Sequence, residues 1–180
     1  MKLILESQRL VLREMIPDDQ PELMKVLGNV DSMRYYPAPF SVEKVKEWIA
    51  WNIANYQQYQ HGLWAVIRKE DNTFLGDCGI TMQNIEGTLL PEIGYHIRPD
   101  FCGNGYATEA ARACLDDAFN TLNYSLIISY MHCKNLPSMR VAQKTGMQFV
   151  RYFEKIVMGE WVREALYQIK KEDYHSLPQP

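Results

Sequence analysis

The stretch Phe101 to Ala110, FCGNGYATEA, constrains the fold most, because two glycines one residue apart open directly onto a helical pattern. From Gly105 onward, apolar or small residues fall at Ala107, Ala110, Ala111, Cys114, Leu115, Ala118, Phe119 and Leu122, the stripe of a helix with one buried face. Strand patterns bracket it, Leu89 to Ile97 (LLPEIGYHI) before and Leu126 to Met131 after. The segment therefore reads as a βαβ unit, with Gly103 and Gly105 in the loop that enters its crossover helix. At such a helix mouth the first backbone N–H groups lack intrahelical partners and the dipole is positive, so the loop suits an anion, most naturally a pyrophosphate. Glycines let the anion approach the main chain, and the lack of Lys or Arg in 101–110 is compatible with main-chain donors. Two other phosphate loops are excluded. A Walker A loop needs GxxxxGK followed by Ser or Thr, and a dinucleotide fingerprint needs a third glycine where Thr108 stands. Taken alone, GxG before a helix also fits a tight turn that merely starts the helix.

Upstream, Arg9 to Glu14 (RLVLRE) alternates like a strand, and Ile16 to Asn29 reads as a helix opened by Pro and Asp and closed by Gly28. A second helix starts at Ser41, a good N-cap with Lys44 at N3, and runs through Val45, Trp48, Ile49, Asn52 and Tyr56. Strands Leu63 to Arg68 and Phe74 to Met82 precede strand 89–97 as an antiparallel meander, with DN and EG as turns. After strand 126–131 come a helix from about Leu136 to Lys144, ended by Gly146, and two closing strands, Met147 to Met158 and Trp161 to Lys170. The pattern is that of an α+β fold with seven strands and four helices. At 180 residues one domain is the default, here 1–175, with a flexible tail expected at 176–180.

Lys and Arg number 19 against 22 Asp and Glu, a formal charge of −3, so no basic excess exists to neutralise a nucleic-acid backbone. Cys78, Cys102, Cys114 and Cys133 form no CxxC pair, and His61, His96, His132 and His175 show no metal-ligand spacing, so no metal is expected and the histidines read as structural or exposed. The N-terminal run of three apolar residues after Lys2 is too short for a signal-peptide core, and no apolar run could span a bilayer. A cytoplasmic protein with reduced thiols is the expectation.

Downstream of the loop stand NLPS (Asn135 to Ser138) and VAQKTGMQFV (Val141 to Val150). With EIGY (Glu92 to Tyr95) and GNGYATEA, these motifs resemble the GNAT (GCN5-related) N-acetyltransferase family, most closely the branch that contains the ribosomal-protein N-terminal acetyltransferases. The resemblance covers nearly the whole chain. It implies a GNAT fold, a mixed, twisted sheet of about seven strands flanked by four helices, with acetyl-CoA as cosubstrate where strands 89–97 and 126–131 splay apart. Main-chain N–H groups of Gly103, Asn104, Gly105, Tyr106 and Ala107 would hold the pyrophosphate, with Thr108 adding a hydroxyl. Backbone around Ile97 would pair with the pantetheine arm like an added strand, and Asn135 and Ser138 would meet that arm near the sulfur. Three positions depart from the family pattern. Asp100 stands where Gln or Arg is usual, with Arg98 close but out of register; Cys102 replaces a common aromatic; Ala142 replaces the common general-acid Tyr. Ser138 or water would then protonate the leaving thiolate.

Amine acetylation needs a free lone pair, stabilisation of charge developing on the carbonyl oxygen, and a route for the amine's proton. Glu92, inside an apolar strand, is the candidate base, since a carboxylate there is costly unless hydrated, paired or working. The alternative is a Glu on the strand's solvent face. The N–H of Ile97 is the expected donor to the oxyanion. A lysine-like amine is neutral in about one molecule in 2,500 at pH 7 and an α-amine in about one in seven, a difference of about 3.5 kcal/mol that favours protein or peptide N-termini over small-molecule amines as acceptors. Arg34, Tyr35 and Tyr36 in SMRYYPAPF, with Trp64, are expected to line the acceptor wall, although the aromatics could equally be packing residues. Trp48, Trp51, Tyr56 and Tyr59 read as core or as a dimer face. Both a monomer and a homodimer fit. The competing class is a catalytically silent CoA-binding regulatory module, which the missing Tyr at 142 favours.

Overall fold

The computed structural model describes residues 2–177. Of the expected tail, 178–180 lie outside the described residues. The elements are β1 (Leu3–Glu6), β2 (Leu10–Arg13), a 3-10 turn at Pro17–Asp19, α1 (Gln20–Leu27), α2 (Val42–Tyr59), β3 (Leu63–Arg68), β4 (Phe74–Ile85) and β5 (Thr88–Ile97). They continue with α3 (Tyr106–Asn120), β6 (Leu126–His132), α4 (Leu136–Lys144), β7 (Gln148–Val157), β8 (Glu160–Lys170) and α5 (Lys171–His175). Among the described residues this is a mixed α+β architecture of the kind the resemblance implies, with eight strands in place of the expected seven and five helices in place of four. The additional strand is β1, a half-exposed edge strand whose sequence LILE carries no polar–apolar alternation. The additional helix, α5, has five residues, barely more than one turn, and so carries no 3.6-residue period.

All eight strands form one sheet in the order β1-β2-β3-β4-β5-β6-β8-β7. Every neighbouring pair is antiparallel except β5 and β6, and their parallel register is held at Glu92↔Ile128 alone. Past that point the two strands part, and Ser129 Oγ donating to the Ile93 carbonyl at 3.0 Å closes the base of the fork. Arg98 N donates to Leu75 O on β4 at 2.8 Å, so by the alternation of strand amides the N–H of Ile97 points the other way, into the fork.

Because side chains alternate across a strand, the sheet has two different faces. On one, α3 packs Ala110, Ala111, Cys114, Leu115, Ala118 and Phe119 onto Trp64, Val66, Cys78, Ile80, Ile93 and Ile127. On the other, α1 and α2 pack Leu23, Val26, Leu27, Val45 and Ile49 against Leu63, Ala65 and Phe74. Ser41 caps α2 as expected, its hydroxyl accepting from Lys44 N at 3.2 Å. Further along, the buried Asn52 accepts from Leu63 N at 2.7 Å and donates to Trp48 O at 2.9 Å, which fixes α2 to the start of β3. No helix among the described residues is long and apolar enough to cross a membrane.

Candidate active site

A cleft of about 1220 Å³ passes from the glycine loop through the fork to the α1–α2 side of the sheet. At its first end, Gly103 and Gly105 have φ of +83° and +84°, the left-handed region in which L side chains are strained. Gly105 is the N-cap of α3, so the free N–H groups of the first turn open onto the cleft lined by Gly103, Gly105, Tyr106, Ala107 and Thr108. Asn104 turns its side chain back, donating to Phe101 O at 3.1 Å and Cys102 O at 3.3 Å, and thereby braces the loop. Arg98 is committed to Asp100 at 3.1 Å and to Glu22 at 3.8 Å, outside the cleft lining.

A carboxylate in the first turn of α3, Glu109, would oppose an anion at the helix mouth. It is neutralised from behind. Ser7 Oγ, Arg9 N and Arg9 Nε all donate to it at 2.7 Å, while Arg9 Nη1 donates to Asn104 O at 3.2 Å. Burial alone would raise the Glu109 pKa, and these donors bring it below the ordinary value. Arg9 thus braces the glycine loop and neutralises Glu109 at the mouth of α3. Arg9→Ala is expected to weaken acetyl-CoA binding about threefold to tenfold, the weight of about one ordinary hydrogen bond lost from the brace behind the loop. Titration calorimetry checks this, and an unchanged affinity would remove Arg9 from the site.

At the fork, Tyr95 and Ser138 meet on the α3–α4 face. Tyr95 OH donates to Ser138 O at 2.9 Å, and Ser138 Oγ donates to Tyr95 OH at 3.1 Å. Burial raises the Tyr95 pKa well above the ordinary phenol value, so it keeps its proton. Asn135 accepts from Ser138 N at 3.1 Å and so caps α4. Ala142 is buried in the core, 1% exposed.

On the opposite face stands Glu92, 8% exposed. Thr81 Oγ1 donates to Glu92 Oε2 at 3.1 Å, Gln83 Nε2 donates to Thr81 Oγ1 at 3.1 Å, and Lys155 Nζ donates to Gln83 Oε1 at 3.0 Å and to Tyr130 OH at 2.6 Å. Burial pushes the Glu92 pKa up to about 7, against the Thr81 hydrogen bond and the Lys155 charge, which lower it. Gly94, two residues on and on the same face, leaves the carboxylate accessible, for a Cβ there would sit 3.3 Å from Glu92 Oε2. A second set of polar groups ties the cleft wall together. His96 Nδ1 donates to the buried Asp77 Oδ1 at 2.7 Å, Trp48 Nε1 donates to Asp77 Oδ2 at 3.0 Å, and His96 Nε2 lies 2.9 Å from Tyr36 OH. Burial would lower the His96 pKa, but Tyr36 and Asp77 outweigh it and hold it well above the ordinary imidazole value.

Most of the residues singled out from the sequence therefore converge on one cleft: Glu92, Ile97, Gly103, Gly105, Tyr106, Ala107, Thr108, Asn135 and Ser138, with Arg34, Tyr35 and Tyr36 at the far wall. Trp64 does not. Standing on β3 one residue after Leu63, it points to the α3 face, 1% exposed in the core and away from the acceptor wall. Trp48, which packs against the α1–α2 core, and Trp51 both line the cleft, and His96 is a linked member of its wall. Sequence reasoning also passed over Asp77, Lys155 and Glu164. The signal for Asp77 and Glu164 was present, since each is a carboxylate inside an apolar strand, FLGDCGITM and EWVREALYQI, the same pattern that singled out Glu92.

The family model for the acetyltransferase (GNAT) domain matches residues 9–148, and the chain belongs to that family. It is 40% identical over 152 residues to the uncharacterised protein YkkB of Bacillus subtilis (strain 168), covering 84% of this chain and 88% of the relative. The crystal structure of a GNAT-family acetyltransferase from Bacillus anthracis superposes with a TM-score of 0.78 at 29% identity, covering 93% of this chain and 98% of the other. RimL, a ribosomal L7/L12 α-N-protein acetyltransferase in complex with coenzyme A, shares the fold, with a TM-score of 0.75 at 16% identity over 94% of this chain and 98% of its own.

Proposed function

We propose that this protein transfers the acetyl group of acetyl-CoA directly to a primary amine, with Glu92 as the base. The observation that carries this reading is a buried carboxylate, titrating near 7, at the one point where β5 and β6 still pair, with a cleft opening on both faces of the sheet. Acetyl-CoA brings an acyl group already activated as a thioester.

The residues present fit that cosubstrate. Two left-handed glycines and the open first turn of α3 form a main-chain cradle for a pyrophosphate at Gly103 to Ala107, with the Thr108 hydroxyl beside it. The unpaired edge of β5 at Ile97 offers backbone groups to the pantetheine amides, and its N–H can stabilise negative charge developing on the carbonyl oxygen. Asn135 orders the start of α4, where Ser138 and Tyr95 share a hydrogen bond. In place of the phenol missing at Ala142, the Ser138 hydroxyl or a water gives the departing thiolate its proton, with Tyr95 holding Ser138 in position through the two hydrogen bonds they share. The acceptor amine enters from the other face, where Glu92 takes its proton directly or through one water. Transfer of that proton onto a carboxylate near 7 is less uphill than onto an ordinary one. The neutral-amine arithmetic favours acceptors whose amine has a depressed pKa, such as a peptide or protein α-amine, over a simple alkylamine. A cytoplasmic site of action is part of the same reading.

Release of free thiol from acetyl-CoA by the purified protein, measured across peptides, amino acids, diamines, polyamines and aminoglycosides, tests it. Acceptor-dependent release is expected. Acetyl-CoA binding with no release on any amine would overturn the transferase reading in favour of a silent CoA-binding module.

A further inference from the structure

Glu164 lies on β8, opposite His132 on β6 and opposite Phe153 on β7, and lines the same cleft as Glu92. It is 6% exposed, and its Oε2 is buried with no hydrogen-bond partner. A buried carboxylate oxygen in that state costs free energy until a donor reaches it. Burial has already raised its pKa to about 7, against the Lys155 charge, which lowers it. Lys155 does not satisfy it: its ammonium donates to Gln83 and Tyr130, and that oxygen has no partner.

The lining of the cleft that the two carboxylates share shows what kind of donor it accommodates. The Lys155 ammonium donates to the Tyr130 hydroxyl at 2.6 Å, 4.4 Å from the ring centre, a cation held against an aromatic side chain by the protein itself. Trp48, Tyr36 and Phe40 add further aromatic surface, and Ile156, Val157 and Met158 add apolar surface suited to methylene groups. Two buried carboxylates on one cleft, close enough that the Glu164 charge is felt at Glu92, with aromatic and apolar surface in the same lining, match an acceptor that has a cationic nitrogen at both ends of a short hydrocarbon spacer.

We propose that Glu164 binds a second ammonium group of the acceptor, so that the substrate class is a short-chain diamine whose one nitrogen meets Glu92 while the other meets Glu164. This rests on the transferase reading above. It is consistent with the same proton arithmetic, since a second positive charge a few bonds away lowers the pKa of the reacting amine. The chemistry is the amide bond already described: the neutral nitrogen attacks the thioester carbonyl, its proton passes to Glu92, the C–S bond breaks and the thiolate takes a proton. Glu164 is a specificity residue in this scheme and takes part in no bond change.

The test compares steady-state acetylation of linear diamines of increasing length with alkylamines of matched length and with a peptide α-amine, in the wild-type protein and in Glu164→Gln. The wild-type kcat/KM for the best diamine is expected to exceed that of its matched monoamine by at least about tenfold, mostly through KM, the weight of one buried charged hydrogen bond. In Glu164→Gln that ratio is expected to collapse toward one. A wild-type protein that uses monoamines or peptide α-amines as well as diamines overturns the proposal and leaves the transferase reading standing, as does a ratio that survives the substitution. No turnover of any amine, with acetyl-CoA bound, overturns both. The wild-type series is decisive by itself should the variant fail to fold.

Discussion

Glu92→Gln is expected to lower kcat by about 100-fold to 1,000-fold at pH 7.5, the usual weight of a positioned general base, while leaving acetyl-CoA affinity within about twofold. The separation follows from the geometry, because Glu92 lies on the face of the sheet opposite α3, while the proposed anion cradle lies beyond the end of β5, at the start of α3. In the wild type, kcat/KM should rise with pH through about 7, where the Glu92 carboxyl loses its proton. That limb should be absent from the residual activity of the variant. Stability provides an opposite and independent signature. A carboxyl whose folded pKa is raised above its unfolded value favours the fold in its protonated form, a contribution fully present at low pH and lost as pH rises through about 7. Gln suffers no such loss, so the variant should melt above the wild type at pH 8 and near it at pH 5. Unchanged turnover would remove Glu92 from the base role, and a variant that melts lower at pH 8 would mean that the carboxylate is paired in the fold.

What the sequence disclosed, and what it withheld, divides along a physical line. Helices α2 and α3 and the meander β3–β5 are long and periodic, and their caps are spelled out by Ser41 and Gly105, so they could be read directly. The glycine loop and its left-handed entry to α3 were legible for the same reason, because such an entry can be written in few residues other than glycine. Strand β1 and helix α5 escaped because short elements acquire their structure from the sheet edge and core they dock against, and not from their own pattern. The acceptor wall was harder. Whether Trp64 or Trp48 faces the cleft depends on which sheet face each element presents, and a shift of one residue on β3 exchanges core for wall. The Asp77–His96–Tyr36 contacts join β4, β5 and the segment before α2, three parts of the chain that no local window brings together. Buried carboxylates were the one signal of this region that a sequence carries, and applied evenly they would have flagged Asp77 and Glu164 beside Glu92.

Gly105→Val is expected to weaken acetyl-CoA binding at least about tenfold and to raise its KM in parallel, with a smaller change in kcat at saturating cosubstrate. Space is not the reason, since a Cβ at Gly105 would meet only Arg9 Nη2, at 3.5 Å. The cause is backbone handedness. At φ +84° a β-branched residue is strained, and relief of that strain rotates the peptide that leads into α3, the one whose neighbours present their N–H groups to the cleft. Cofactor loss could also follow from general destabilisation, and the fold contains its own control. Gly87, in the turn between β4 and β5, has φ of +90° with nothing within 4 Å of its Cβ position, so Gly87→Val imposes comparable strain outside the cleft. Both variants should lose melting temperature, and only Gly105→Val should lose acetyl-CoA, measured by calorimetry on each. Equal loss in both would mean that strain anywhere in the sheet disturbs the fork. Normal affinity in Gly105→Val would place the pyrophosphate somewhere other than the mouth of α3.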